Sequence, residues 1–204
     1  MNLLKKLLAR LYYALFPHKR KTAIDLLIEN GNLRVGKNCD LQGLQITIYS
    51  CQAGVLNVTI GDDCHLMGNI VVYNPNAKIS IGDRVFVGPN TNLIALEEIE
   101  IESDILISWG CTIMDNDSHS LRSADRATDV VDWKNGWAFK KWDLVPRKKI
   151  KIEKKSWIGF NCIVLKGITI QEGTVLASGS VVTKTYPPYS VLGGNPARLI
   201  KTTE

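Results

Sequence analysis

The chain has 204 residues, of which 45% are hydrophobic and 22% are charged, as is ordinary for a soluble globular protein that buries one sizeable core. Five cysteines without a paired C-x-x-C spacing argue against a disulfide framework or a zinc ribbon, and they fit a reducing cytoplasm. The net charge of +5 favours an anionic partner, but it does not choose among a phosphate-bearing cofactor, a membrane surface and nucleic acid.

Residues 1–30 are predicted to form an N-terminal helical segment attached to a domain at 31–204. Lys5, Lys6 and Arg10 interrupt its apolar residues, so the segment lacks the continuous apolar core of a signal peptide and is too short to span a bilayer. Its apolar stripe consists of Leu3, Leu4, Leu7, Leu8, Leu11 and Leu15. Such an amphipathic helix either packs on its own protein or lies on the inner face of a membrane beside anionic lipids.

An apolar residue at every sixth position predicts the fold of the domain. The first series is Ile81, Val87, Leu93, Ile99, Ile105 and Cys111, and the second is Ile152, Ile158, Val164, Ile170, Leu176 and Val182. A six-residue period rich in β-branched residues, with glycines at turns, is typical of a parallel β-helix, in which stacked coils bury one another's apolar residues. Four cysteines are expected to be small core residues of these coils: Cys39, Cys64, Cys111 and Cys162.

The six-residue frame fails after Cys111, because the next position in it is Asp117. The coil is therefore predicted to open into a loop at about 115–149 before it resumes. A long excursion from a rigid scaffold is usually functional or disordered, and the aromatic content of this one argues against disorder. Its tryptophans either stack on a sugar or anchor the loop to the coil. They are Trp133, Trp137 and Trp142.

Three motifs in the second half of the chain carry a family resemblance. They are Trp157-Ile-Gly-Phe-Asn-Cys-Ile-Val-Leu-Lys-Gly-Ile-Thr-Ile, Ala177-Ser-Gly-Ser-Val-Val-Thr-Lys184 and Gly193-Gly-Asn-Pro-Ala-Arg198. With them, residues 31–201 resemble the hexapeptide-repeat acyltransferases, in the branch of maltose, galactoside and polysaccharide O-acetyltransferases. The resemblance implies an all-β fold, a single-stranded left-handed parallel β-helix. It also implies homotrimers of three-sided prisms, with acetyl-CoA as acyl donor in a groove between subunits and no required metal.

The resemblance gives His119 a catalytic role, because it occupies the position of the loop histidine that takes the proton from an acceptor hydroxyl. A neutral imidazole near pH 7 can remove that proton as the hydroxyl attacks the thioester. Asp117 or Asp115 is expected to orient the ring. From the residues alone, His119 could equally form only local hydrogen bonds, and His65, inside an early hexad, is expected to be structural.

The resemblance also implies a set of donor-binding residues along the groove: Trp157, Ser178, Thr183, Lys184 and Arg198. Lys184 and Arg198 would meet the phosphates of CoA as cations, and Ser178 would offer backbone groups to the pantetheine arm. Two alternatives stay open at this point. Trp157 could simply pack at a corner of the coil, and Lys184 could be a solvated turn lysine.

The expected activity is O-acetylation of a small-molecule or lipid-linked saccharide that belongs to lipopolysaccharide, capsule or exopolysaccharide. The enzyme is expected to be cytoplasmic, and peripheral contact with the inner membrane surface is an open question. N-acetylation of an amino sugar and a non-catalytic β-helix scaffold are the alternatives. A γ-type carbonic anhydrase needs three histidines on zinc, and the repeat region has only His65 and His119. Nucleic-acid binding is not expected, because the cations and aromatics follow no recognised module.

Overall fold

The structure, a computed structural model, describes residues 21–204. The leucine-rich helix predicted before Pro17 lies outside the described residues. The first described helix, α1 (Ala23–Glu29), begins with a capping box in which the Thr22 side chain accepts from the backbone of Asp25 and the Asp25 side chain accepts in return. Within residues 21–204, no helix is long and apolar enough to span a membrane.

The strands form three parallel faces that the chain visits in turn. Face 1 contains β1 (Leu33–Val35), β3 (Val58–Ile60), β6 (Lys78–Ile81), β9 (Glu98–Ile101), β12 (Ile150–Ile152) and β15 (Thr169–Ile170). Face 2 contains β4 (His65–Leu66), β7 (Phe86–Val87), β10 (Leu106–Ile107), β13 (Trp157–Ile158), β16 (Val175–Leu176) and β18 (Ser190–Gly194), and β19 (Ala197–Thr202) closes it as an antiparallel edge strand. Face 3 contains β2 (Leu44–Ile48), β5 (Gly68–Val72), β8 (Asn92–Ala95), β11 (Thr112–Met114), β14 (Ile163–Leu165) and β17 (Val181–Val182).

Stacked aliphatic residues fill the space between the faces. On face 1, for example, Ile81 pairs with Ile101, Ile101 with Ile152, and Ile152 with Ile170. All twelve residues of the two six-residue series are buried, so the prediction of a β-helix of stacked coils is confirmed. Since each coil contacts only the coils above and below it, burial of these rows holds the stack together.

Three of the four cysteines assigned to the core are buried, namely Cys64, Cys111 and Cys162, whereas Cys39 is half-buried. Their thiols donate to backbone carbonyls of the neighbouring coil, as Cys111 Sγ does to Gly159 O at 3.1 Å. They are free cysteines that occupy narrow corners of the prism.

The six-residue frame changes earlier than the sequence indicated. Face 3 places Leu93 in the same row as Ile113, and face 1 places Ile81 in the same row as Ile101. Eight residues therefore separate Leu93 from Ile101, whereas six separate Ile81 from Val87 and Val87 from Leu93. The corner after face 3 is wider here, and a carboxylate described below fills it.

The predicted excursion begins and ends where the strands do, since β11 ends at Met114 and β12 begins at Ile150. It contains two short helices, α2 (Ser123–Arg126) and α3 (Asp129–Asn135), followed by two 3₁₀ turns at Trp137–Phe139 and Trp142–Leu144. The strands on either side of it stay in register, because β11 pairs with β14 and β9 pairs with β12. The excursion therefore leaves the stack at one corner without interrupting it.

Candidate active site

Two tryptophans fasten the excursion to the coil. The Trp137 ring stacks on Tyr49 with centroids 3.7 Å apart, and its Nε1 donates to the carbonyl of Tyr73 at 2.9 Å. Trp142 packs against Tyr73 at 5.0 Å, and its Nε1 donates to the carbonyl of Trp137 at 3.1 Å. For these two residues the anchoring role holds, because both indole N–H groups are satisfied within the protein.

His119 lies in the first turn of the excursion, directly after face 3. The preceding Ser118 has a left-handed backbone, with φ of 59°, at the point where the chain leaves the coil. The Ser118 N–H donates to Asn116 Oδ1 at 2.9 Å, and Lys166 Nζ donates to Asp117 Oδ1 at 2.6 Å. These bonds fix the base of the turn, while the imidazole stays 41% exposed.

Asp129, at the start of α3, orients the ring of His119. The Nδ1 atom of His119 is hydrogen-bonded to Oδ2 of Asp129, whose side chain is only 9% exposed. Because Nδ1 faces the carboxylate, Nε2 is the ring nitrogen that points away from it. A histidine held in this way can accept a proton on Nε2 while the carboxylate stabilises the imidazolium.

The expectation that Asp115 or Asp117 orients the imidazole is wrong. Both oxygens of the buried Asp115 accept backbone N–H groups of the preceding coil, from Leu96 and Glu97 at 2.8 Å each. This carboxylate fills the wide corner after β8. Asp117 pairs instead with Lys166 of the following coil. Both carboxylates are thus engaged by the coil, and a residue further along the excursion meets the ring.

Burial works to raise the pKa of Asp129, but hydrogen bonds from His119 and Lys140 outweigh it and hold the pKa below its ordinary value. Asp129 is therefore ionised at neutral pH and is an acceptor for a proton on Nδ1 of the histidine.

Lys140 completes this cluster from the far end of the excursion. Its side chain is 1% exposed, and its Nζ donates to the carbonyl of Ser118. The same atom lies 3.3 Å from Oδ2 of Asp129 and 3.2 Å from Nδ1 of His119. Sequence analysis did not identify Asp129 as a site residue, and no pattern in the sequence pairs Lys140 with His119.

Trp133 differs from the two anchoring tryptophans. Its ring is 41% exposed and meets the ring of His119 edge-on, with centroids 5.5 Å apart. Lys140 Nζ lies 4.4 Å from the centroid of the indole, which holds the ring in place. Trp133 therefore presents an aromatic surface to solvent beside the histidine.

The residues proposed for the donor lie on several parts of the prism. Trp157 is exposed on β13 of face 2, Ser178 is at the corner after β16, and Thr183 and Lys184 follow β17. Arg198 is on β19. One chain thus presents these residues on different surfaces and not in one pocket.

Lys184 and Arg198 are connected through an aromatic residue. Lys184 Nζ lies 5.1 Å from the centroid of Tyr186, and the Tyr186 hydroxyl donates to the carbonyl of Ala197 at 2.7 Å. The guanidinium of Arg198 donates to the same carbonyl at 3.1 Å. The two cations therefore lie in one basic area near the C-terminal end of the stack.

His65 makes fewer side-chain contacts than His119. It lies on face 2, where its Nε2 is 3.5 Å from Oδ2 of Asp40 and its ring meets Phe86 edge-on. It therefore makes structural contacts on the face, as expected. Within residues 21–204, no group of three or more His, Cys, Asp and Glu side chains is arranged to hold a metal ion.

Residues 149–184 match the family model described as the hexapeptide repeat of succinyl-transferase. These residues contain the second apolar series and pass through all three faces. This part of the chain is similar to the hexapeptide repeat.

Two curated relatives of this chain are named acetyltransferases. A putative acetyltransferase of Schizosaccharomyces pombe is 33% identical over 128 residues, which are 63% of this chain and 45% of the relative. A probable acetyltransferase of Mycobacterium tuberculosis is 28% identical over 145 residues, which are 71% of this chain and 44% of the relative. The chain thus matches less than half the length of either relative.

Among solved structures, the chain is similar to AntD, an N-acyltransferase from Bacillus cereus, in complex with dTDP and 3-hydroxybutyryl-CoA. The TM-score is 0.65 at 21% identity, over 90% of this chain and 89% of AntD. Such a likeness at low identity shows the fold. The fold is the left-handed parallel β-helix of hexapeptide-repeat proteins.

Proposed function

We propose that this chain is an acyl-CoA-dependent acyltransferase that uses acetyl-CoA to acetylate a hydroxyl of a saccharide. The observation that carries the proposal is the pair of His119 and Asp129, half-exposed on the histidine side and buried on the aspartate side. The names of the curated relatives support the acetyl group, and the CoA derivative bound by AntD supports the kind of donor.

In the proposed reaction, Nε2 of His119 takes the proton of the acceptor hydroxyl as its oxygen attacks the thioester carbonyl. The tetrahedral intermediate collapses, the carbon–sulfur bond breaks, and the thiolate of CoA leaves. The imidazolium returns its proton to that sulfur, so the enzyme ends as it began. Asp129 keeps Nδ1 protonated throughout and stabilises the imidazolium formed in the transition state.

N-acylation of an amino sugar is the second candidate, because AntD is an N-acyltransferase with bound dTDP. Titration calorimetry with acetyl-CoA, followed by product mass with hydroxyl sugars, amino sugars and their nucleotide-linked forms, tests both. An O-acetylated product supports the first proposal, and an N-acetylated product supports the second. Absence of acetyl-CoA binding would contradict both and favour a non-catalytic scaffold.

We also propose a homotrimer with the donor between subunits. An exposed apolar strip supports it: Trp109 and Phe160 stack at the corner between faces 2 and 3, with centroids 4.9 Å apart, and Leu106 and Trp157 are exposed on face 2 beside them. A neighbouring subunit would cover this strip. Molar mass from light scattering tests the assembly.

Lys184→Ala and Arg198→Ala are expected to weaken CoA binding more than they lower turnover at saturating acetyl-CoA. Phosphate contacts remote from the thioester act about equally in the ground and transition states, so they change affinity and not kcat. Each loss should be about 5- to 50-fold in the dissociation constant, the usual range for a charge-assisted contact. Calorimetry measures it.

Lys201→Ala, which removes an exposed lysine of the same strand, is the control and should bind CoA normally. With dephospho-CoA, the difference in affinity from the wild type should become smaller for the variant that lacks the side chain contacting the ribose phosphate. Unchanged affinity in both variants would mean that the donor lies elsewhere.

Trp133→Ala is expected to raise the acceptor KM about 3- to 10-fold, with kcat changed far less, because an aromatic surface beside the base binds the sugar through its C–H face. Trp133→Phe should lose less, because it keeps a ring. Steady-state kinetics with varied acceptor measure the effect. Val131→Ala, an exposed apolar position of the same helix, is the control. An unchanged acceptor KM would remove Trp133 from acceptor binding.

A further inference from the structure

Lys140 is a buried cation that no step of the proposed reaction uses. Its side chain is 1% exposed, and its ammonium lies near two indoles, 4.4 Å from the centroid of Trp133 and 4.7 Å from that of Trp142. Burying an ammonium group is unfavourable unless it is paired and hydrogen-bonded. Here the pairing is supplied by Asp129 and the backbone carbonyl of Ser118.

Charged residues approach His119 from the excursion, from the coil and from α2. Lys140 and Asp129 face the ring directly. On the coil side, Asp117 is paired with Lys166. On the α2 side, the nearby charged residues are Asp125, which accepts from Ser120, Arg122, 3.8 Å from Asp125, and Arg126, which donates to the carbonyl of Ser120.

The charge of the buried cluster depends on the imidazole. With His119 neutral, the negative Asp129 and the positive Lys140 cancel. Protonation of the ring adds a positive charge 3.2 Å from the ammonium, and one carboxylate then faces two cations. The like-charge contact with the ammonium opposes protonation of the ring, whereas the carboxylate favours it.

The ammonium of Lys140 also affects the ionisation of the Asp129 carboxylate. Lys140 Nζ and Nδ1 of the ring both approach the same carboxylate oxygen, Oδ2. The positive charge of the ammonium, 3.3 Å from Oδ2, favours the ionised carboxylate whether or not the ring is charged. Nδ1 can then donate its proton to Oδ2, which leaves Nε2 without one.

We propose that Lys140 is a positioning residue that keeps Asp129 ionised and the resting imidazole of His119 neutral, so that Nε2 is ready to accept a proton near neutral pH. This role rests on the proposed function of His119 as general base. It predicts a pH-dependent defect in a variant that lacks the ammonium.

Lys140→Met removes the charge and keeps an unbranched apolar stem near the indoles. The titration of His119 should then move to higher pH by about one unit or more, as expected when a like charge within hydrogen-bonding distance is removed. The chain has three histidines, so NMR of imidazole-labelled protein resolves them, with His18→Gln and His65→Gln for assignment. Lys141→Met, which removes the adjacent exposed lysine, should leave the titration unchanged.

The same shift should appear in the rate of acyl transfer. In Lys140→Met, the acidic limb of kcat/KM against pH should move up with the NMR titration, so the loss is about tenfold or more at pH 6 to 7 and shrinks towards pH 9. A purely structural role would lower kcat by the same factor at every pH. Such a uniform loss, or an unmoved His119 titration in a folded variant, would overturn the proposal.

Lys140→Gln serves as the second variant, because its amide can still donate to the carbonyl of Ser118 while it lacks the charge. It should shift the titration as Lys140→Met does. If neither variant folds by circular dichroism, Lys140 is a folding residue and the proposal is wrong. The NMR measurement needs no substrate, so a shifted titration in a protein without acyl-transfer activity would contradict the proposed function and leave the electrostatic role of Lys140 standing.

Discussion

His119→Gln should lower turnover by about 10²- to 10⁴-fold, the usual range for removal of a general base, while acetyl-CoA still binds. Glutamine fills a similar volume and can hydrogen-bond to Asp129, but it cannot accept a proton at neutral pH. Release of CoA thiol in the presence of a competent acceptor measures the rate, and calorimetry measures donor binding. The secondary structure should be unchanged, because the imidazole is half-exposed and lies outside the stacked rows.

His65→Gln is the matched control, since it removes the other histidine of the described coil from an exposed position on face 2. It should retain the wild-type rate. If His119→Gln turns over at a near-normal rate with an O-linked acceptor, the histidine is not the base. If the physiological acceptor is an amine, the loss should be smaller, because a neutral amine attacks the thioester before it loses a proton.

Asp129→Asn should lower turnover to a similar degree, by about 10²- to 10⁴-fold, because the amide no longer stabilises the imidazolium and can favour the wrong ring tautomer. It should also destabilise the fold by about 1–3 kcal/mol, since the ammonium of Lys140 loses its buried partner. Steady-state kinetics measure the first effect and thermal unfolding measures the second.

Asp132→Asn is the control on the same helix, because its half-buried carboxylate accepts only from the hydroxyl of Thr128 in the described structure. It should change neither the turnover nor the thermal stability strongly.

The stabilisation of the fold by Asp129 has a defined pH range. Because its folded pKa is lowered, the contribution is fully present above the unfolded value of about 4 and is lost as pH falls through the folded value. A wild-type rate in Asp129→Asn would exclude the carboxylate from the mechanism.

The fold was predictable because burial in a β-helix repeats along the chain. Successive faces place aliphatic residues inward at matching positions, so a period of six in Ile152, Ile158 and Val164 reflects the three faces directly. The change in the six-residue frame after Leu93 could not be predicted from the period of the apolar residues. It depends on a corner whose two extra residues are held by Asp115 from the next coil.

The aspartate that contacts His119 was mispredicted because nearness in sequence is a poor guide at a corner. Asp115 and Asp117 precede His119 closely, but their partners are on the coils above and below. Asp129 reaches the ring only because α3 folds back over it, and an irregular excursion has no period from which that could be inferred. The roles of the tryptophans likewise depend on Tyr49 and Tyr73, which lie far earlier in the sequence.

Because strand pairing continues beneath the excursion, the excursion is structurally separable from the coils that carry it. Ile99 and Ile150 are neighbours on face 1, and Met114 and Leu165 are neighbours on face 3, so the coil closes whatever chain is inserted between Met114 and Ile150. The proposed general base, the carboxylate that it contacts, the buried ammonium and the exposed indole all belong to this one insert. Acceptor preference could therefore diversify by exchange of a single cassette, without renewed selection for folding of the prism.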